Sequence, residues 1–167
     1  MNNAKPSVLI VDDDKSTRDG LERALRSDYQ VFLAESGDSA LGILAGNNID
    51  ILLTDVRMPG MDGITLLQRA LAQCPDLVCI LVTAYGNVEM AVEAMKHGAH
   101  DFLAKPVNLD HLDLLLKRAL RSRDVESENR TLREQLDSRY GLESIVGNSP
   151  PMLAVFDVIR QAAPSQA

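Results

Sequence analysis

Cysteine is scarce in this 167-residue chain: there are two, Cys74 and Cys79, outside Cys-x-x-Cys spacing and without clustered histidines. Their scarcity excludes a disulfide framework, offers no zinc-site pattern, and fits a reducing, cytoplasmic setting. Long apolar runs are missing as well. The longest, such as Leu77 to Val82, fall far short of the roughly 18 residues a membrane helix needs, and Asp12, Asp13 and Asp14 interrupt the first one. Neither a membrane span nor a signal peptide is expected. Basic charge is outnumbered, with 17 Lys and Arg against 24 Asp and Glu for a net charge of -7. A segment so acidic lacks the basic footprint that binding nucleic acid or an anionic membrane requires.

What remains is ordinary soluble-protein material, 46% hydrophobic and 25% charged, which excludes wholesale disorder and collagen-like or low-complexity classes. The length suits one domain of about 100–150 residues with an appendage. Residues 1–106 hold 9 Lys and Arg against 15 Asp and Glu, whereas residues 107–167 hold 8 against 9, so charge alone divides the chain near Pro106.

Before Pro106, short Val/Ile/Leu-rich runs alternate with stretches of helical period. Ser7–Val11, Gln30–Ala34, Ile49–Thr54, Leu77–Thr83 and Asp101–Leu103 read as strands, separated by four helices. The first, third and fourth are near-continuous apolar runs, the pattern of strands covered on both faces, which predicts a doubly wound, five-stranded parallel α/β sheet. Ser16, with Asp19 three residues on, is expected to start the first helix; Ser36 is expected to cap the second, Gly46-Asn47-Asn48 to end it, and Gly98 to close the fourth. Arg57 to Gly63 is a Pro/Gly-dense loop of the kind that borders chemistry, with Met58 and Met61 packing it.

After Pro106 one long helical pattern runs from about Leu109 to Arg139. Leu109, Leu112, Leu115, Leu116 and Leu120 are placed to cover the sheet. Beyond Arg121, Val125, Asn129, Leu132 and Leu136 follow at spacings of four, three and four, a d-a-d-a seam with one polar a position. A coiled coil, and with it a parallel homodimer, is the expectation. Gly141 and Gly147-Asn148-Ser149-Pro150-Pro151 mark further boundaries before a short apolar-periodic stretch from Met152 to Ala163.

Ligands of doubly wound sheets bind at the carboxyl ends of the strands. The first strand runs out at Asp12-Asp13, the third at Asp55, the fourth at Thr83 and the fifth at Lys105. Three carboxylates on one edge repel unless a cation neutralises them, and hard oxygen ligands with open positions suit Mg²⁺. An ammonium and a hydroxyl beside them suit the charge that develops on a phosphoryl group in flight, so phosphoryl transfer to an aspartate is the chemistry implied.

Val-Asp-Asp after the first strand, Thr-Asp-Val-Arg-Met-Pro-Gly-Met-Asp-Gly after the third, Val-Thr-Ala after the fourth and Lys-Pro after the fifth resemble bacterial response-regulator receiver domains over residues 7 to about 120. The resemblance implies that Asp55 is the phosphoacceptor, that Asp13, Asp55 and the Arg57 carbonyl bind Mg²⁺ directly, and that Asp12 assists through water. It also implies that Thr83 contacts the phosphoryl group, Lys105 pairs with it, the Lys105-Pro106 bond is cis, and Phe102 is the switch aromatic, with Tyr85 a competitor for that surface. Asp14 receives no role, and His97, His100 and His111 read as ordinary surface residues.

Ile145 to Met152, then Val155 to Arg160 and Ala163-Pro164, resemble the start of the AAA+ ATPase domain of NtrC-type, sigma-54-dependent activators, yet no Gly-x-x-x-x-Gly-Lys-Ser/Thr loop occurs. The expected organisation is a receiver over 1–120, a dimerising helical linker over 107–140, and the opening of a truncated ATPase over 141–167. The implied protein is a two-component switch, not an enzyme beyond slow loss of its own phosphate. Its implied partners are a sensor histidine kinase and a second copy, with sigma-54 RNA polymerase and DNA reached only through domains outside the chain. The rival is a haloacid-dehalogenase-like phosphohydrolase with Asp12 as nucleophile, since Asp12-Asp13-Asp14 contains an Asp-x-Asp.

Overall fold

The computed structural model describes residues 5–84 and 88–140. The elements alternate strictly: β1 Ser7–Val11, α1 Lys15–Leu25, β2 Gln30–Ala34, α2 Gly37–Gly46, β3 Ile51–Asp55, α3 Gly63–Gln73, β4 Val78–Thr83, α4 Val88–Lys96, β5 Asp101–Ala104 and α5 Leu109–Tyr140. Every strand pairing is parallel, in the order β2-β1-β3-β4-β5. Chain order reverses between β1 and β3, which opens a crevice at their carboxyl ends.

The two-residue strand period sorts the core into two layers. Leu9 and Val11, Leu52, and Cys79 with Leu81 face the layer closed by Ala40 and Leu44 of α2, Leu66, Leu67 and Ala70 of α3, and Ala94 of α4. Val8 and Ile10, Ile51 and Leu53, and Val78, Ile80 and Val82 face the other, closed by Leu21 and Leu25 of α1 and by Leu112, Leu116 and Ala119 of α5. All of β1, β3 and β4 is buried, which accounts for their unbroken apolar sequence. Burial pushes the Cys79 thiol up to about 12, so it behaves as a packing group.

Some boundaries differ from the expectation. The third strand begins at Ile51 rather than Ile49, and the fourth at Val78 rather than Leu77. Ile49 and Leu77 are buried nonetheless, so apolar character marks burial there and not ladder pairing. The fifth strand continues through Ala104, which pairs with Thr83, and the third includes Asp55, which pairs with Val82. The first helix is capped by Asp14, whose carboxylate accepts from Ser16 N–H at 2.9 Å and from the Thr17 hydroxyl at 2.9 Å. Ser16 therefore donates to the cap instead of being it. Ser36 caps α2 as expected, in a capping box with Ser39, and Gly98 follows α4 at φ +93°, a left-handed turn that favours glycine.

Helix α5 spans 32 residues, about 48 Å at 1.5 Å per residue, and Asn108 opens it by accepting from His111 N–H at 2.9 Å. Leu112 and Leu116 are fully buried and Leu115 and Leu120 pack beside them, whereas Leu109 is exposed, so it does not cover the sheet. The chain divides into two compact units, Met1–Arg123 and Asp124–Ala167. Within α5, Val125, Asn129 and Leu132 are exposed; the Leu136 side chain and the expected boundaries and ATPase start over 141–167 lie outside the described residues.

Candidate functional site

Strand register brings the chemistry together. Val11 pairs with Thr54, Asp55 with Val82 and Thr83 with Ala104, so Asp12, Asp55, Thr83 and Lys105 come off adjacent strands at one edge. The Asp12, Asp13 and Asp55 carboxylates offer ligand atoms that all lie within 4.8 Å of one another. Asp12 and Asp55 are buried, Asp13 is exposed, and Thr83 is completely buried. No histidine joins this group among the described residues; His97 instead bonds Gln68 at 2.8 Å.

Lys105 spans the two buried carboxylates, its Nζ 2.7 Å from Asp12 Oδ2 and 2.5 Å from Asp55 Oδ2. Its backbone N–H donates to the Thr83 carbonyl at 2.7 Å, and the Lys105-Pro106 peptide is cis. Burial alone would lower the Lys105 pKa, but the hydrogen bonds and charges of Asp12 and Asp55 outweigh it and hold the ammonium above its ordinary value. The remaining carboxylate oxygens have fixed donors: Asp14 N–H to Asp12 Oδ1 at 2.9 Å, and Arg57 N–H to Asp55 Oδ1 at 3.0 Å. Two of the three clustered carboxylates thus share one ammonium. A donor set of hard oxygens with that charge imbalance fits a divalent cation such as Mg²⁺.

The loop after β3 is held tightly. Val56 N–H reaches the Val82 carbonyl at 2.8 Å and Gly63 N–H reaches the Val56 carbonyl at 2.9 Å. A Cβ at Gly63 would stand 2.2 Å from the Asp55 carbonyl oxygen, so only glycine lets α3 start that close to the phosphoacceptor candidate. Asp62 caps α3 by accepting from Thr65 N–H at 2.7 Å. Met58 is buried, and Met61 lies against Gly37.

Two site-adjacent residues escaped the sequence reading. Asp14 is the α1 cap, and Arg18 sends a guanidinium N–H to the Asp12 carbonyl at 2.5 Å. The first was legible as an Asx cap; the second depends on side-chain reach that no spacing encodes. Phe102 pairs opposite Leu81 and packs half-buried against the layer containing Leu81 and Ala94. Tyr85 lies outside the described residues.

Over residues 8–117 the chain matches the model of the response regulator receiver domain. It is 38% identical over 163 residues to the C4-dicarboxylate transport transcriptional regulatory protein DctD of Rhizobium meliloti, which covers 96% of this chain and 35% of that protein. It is 36% identical over 153 residues to the DNA-binding transcriptional regulator NtrC of Salmonella typhimurium, covering 91% and 32%. Among solved structures, the CheY-like receiver domain protein from Methanospirillum hungatei superposes with a TM-score of 0.70 at 30% identity, over 74% of this chain and 99% of that one. NtrX from Brucella abortus, in complex with ADP, gives 0.76 at 30% identity over 96% and 35%. The chain spans about a third of the length of the curated relatives it matches. None of these comparisons supports a haloacid-dehalogenase-like phosphohydrolase with Asp12 as nucleophile.

Proposed function

The chain belongs to the response regulator receiver domain family, and from that premise we propose that Asp55 accepts a phosphoryl group from a phosphohistidine of a sensor kinase. A carboxylate oxygen of Asp55 bonds to phosphorus as the donor P–N bond breaks, and the electron pair leaves with the imidazole nitrogen. Asp13, Asp55 and the Arg57 carbonyl would hold Mg²⁺, with Asp12 assisting through water; when bound, the cation supplies positive charge against the phosphoryl oxygens. Lys105 turns its ammonium from the carboxylates to the phosphoryl group, and the Thr83 hydroxyl donates to it. Phe102 then repacks as the switch aromatic.

The observation that carries this reading is the Lys105 bridge between Asp12 and Asp55 beside Asp13: a preassembled set of acceptor, acids and ammonium. Acetyl phosphate with Mg²⁺ is expected to label Asp55, and Asp55→Asn or chelation to abolish the label. Phosphate found by mass spectrometry on Asp12, or labelling without a divalent cation, overturns it.

The output reading rests on the seam spacing, on the resemblance of residues 145–164 to the start of an ATPase domain, and on relatives about three times as long as this chain. Residues 1–120 act as the receiver, 107–140 as a dimerising linker through Val125, Asn129, Leu132 and Leu136, and 141–167 as the start of an AAA+ ATPase that activates sigma-54 RNA polymerase in a cytoplasmic regulator. Two heptads give a marginal seam, so Leu132→Asp is expected to shift solution mass from dimer to monomer at tens of micromolar. Equal monomer mass for both chains removes the dimeric switch.

A further inference from the structure

At the edge of the sheet opposite the acidic group stands a second charged assembly that the phosphoryl chemistry does not use. Asp50, just ahead of β3, accepts from the Ser7 backbone N–H at 2.8 Å through Oδ2, and from Arg123 NH1 at 2.7 Å through Oδ1. The Ser7 hydroxyl, at the start of β1, lies 2.8 Å from Asp50 Oδ2 and 2.7 Å from the Asn48 carbonyl, sharing its proton between them, and accepts from Asp50 N–H at 2.9 Å. Both charged side chains are mostly buried, 27% and 20% exposed for Arg123 and Asp50, a setting in which an ion pair is screened less than at the open surface. Burial opposes ionisation of Asp50, but the Ser7 N–H and Arg123 hold its carboxyl below the ordinary value.

The position of Arg123 gives the assembly its meaning. It lies beyond residue 117, where the receiver match ends, one turn after the buried Ala119, and it is the last residue of the first compact unit. Two residues later comes Val125, the first position of the proposed seam. We propose that Ser7, Asp50 and Arg123 form a clasp that holds α5 one turn past its last core residue and so fixes where the linker begins. The strands that end in Asp12 and Asp55 are the strands whose starts carry the clasp. The proposal is independent of the phosphoacceptor reading, because its test contains no phosphate.

Backbone amide hydrogen exchange of the full chain tests it, comparing residues 119–127 with the β1–β4 amides as internal reference. Arg123→Ala is expected to raise exchange over 119–127 about tenfold, equivalent to roughly 1.4 kcal/mol, and leave the strands unchanged. Arg123→Lys, which keeps a positively charged donor for Asp50 Oδ1, should recover most of the protection. Unchanged exchange in Arg123→Ala would mean the pair holds nothing. An equal rise throughout the strands would make it a general stabiliser; either result overturns the clasp.

Discussion

The strands β1 and β3 carry charge at both ends, and the two ends are built on opposite terms. At the carboxyl edge, Asp12, Asp13 and Asp55 crowd within 4.8 Å, and one ammonium, Lys105, bridges Asp12 and Asp55. At the amino edge, the Asp50 carboxylate is matched by a guanidinium, a hydroxyl and an N–H. The same fold thus satisfies one edge and leaves the other with excess negative charge. Folding tolerates such an excess at a cost, and a site with uncompensated charge is where an arriving cation or phosphoryl group finds binding energy.

Isosteric amides break the comparison most directly. Asp50→Asn is expected to cost about 2 kcal/mol of unfolding free energy, because it removes a charge-assisted bond and leaves Arg123 without its partner carboxylate. Asp13→Asn, at the crowded edge, is expected to raise stability by about 0.5–1 kcal/mol without metal, since it relieves like-charge repulsion at an exposed position. Urea titrations of both variants in metal-free buffer check the opposite signs; two losses of similar size would mean the carboxyl edge is not in excess.

Cation dependence sharpens the contrast next. In Lys105→Met the ammonium no longer competes with Mg²⁺ for Asp12 and Asp55, so Mg²⁺ should bind roughly three- to tenfold tighter than in the unaltered chain, a gain of about 0.7–1.4 kcal/mol. Calorimetric titration measures it, with Asp50→Asn as a control whose Mg²⁺ affinity stays unchanged.

The smallest effect is in the acid limb. A folded carboxyl held below its ordinary value adds stability that is complete above the unfolded pKa, near 3.9, and is lost as pH falls through the folded value. Asp50 is such a group. The stability gap between the unaltered chain and Asp50→Asn should therefore be constant near neutral pH and narrow below about pH 4, as followed by urea midpoints across that range.

Much of the architecture was legible because buried parallel strands must be apolar throughout and must be separated by helices that cover them. Ser36 and Gly98 could be placed from local chemistry alone, since a cap or a left-handed turn is settled within four residues. Asp14 is equally local, but a serine ahead of an acidic residue imitates a capping box and points to Ser16 instead. Leu109 departs from its stripe for a different reason: helical spacing places a leucine on a stripe, but whether that stripe has reached the sheet depends on where the helix docks.

Sequence by itself determined the order of strands and helices and the residue type at each strand end, because periodicity, caps and turn residues act over a few positions. It thereby placed Asp12, Asp13, Asp55, Thr83 and Lys105 at the carboxyl ends of the strands. Only the tertiary structure decided that Lys105 bridges Asp12 and Asp55, that Arg18 reaches the Asp12 carbonyl, and that Gly63 abuts the Asp55 carbonyl. It alone decided that Arg123 finds Asp50 across 73 residues of chain. Those contacts depend on strand register and helix docking, which are set by how the whole core packs and by no local stretch of sequence.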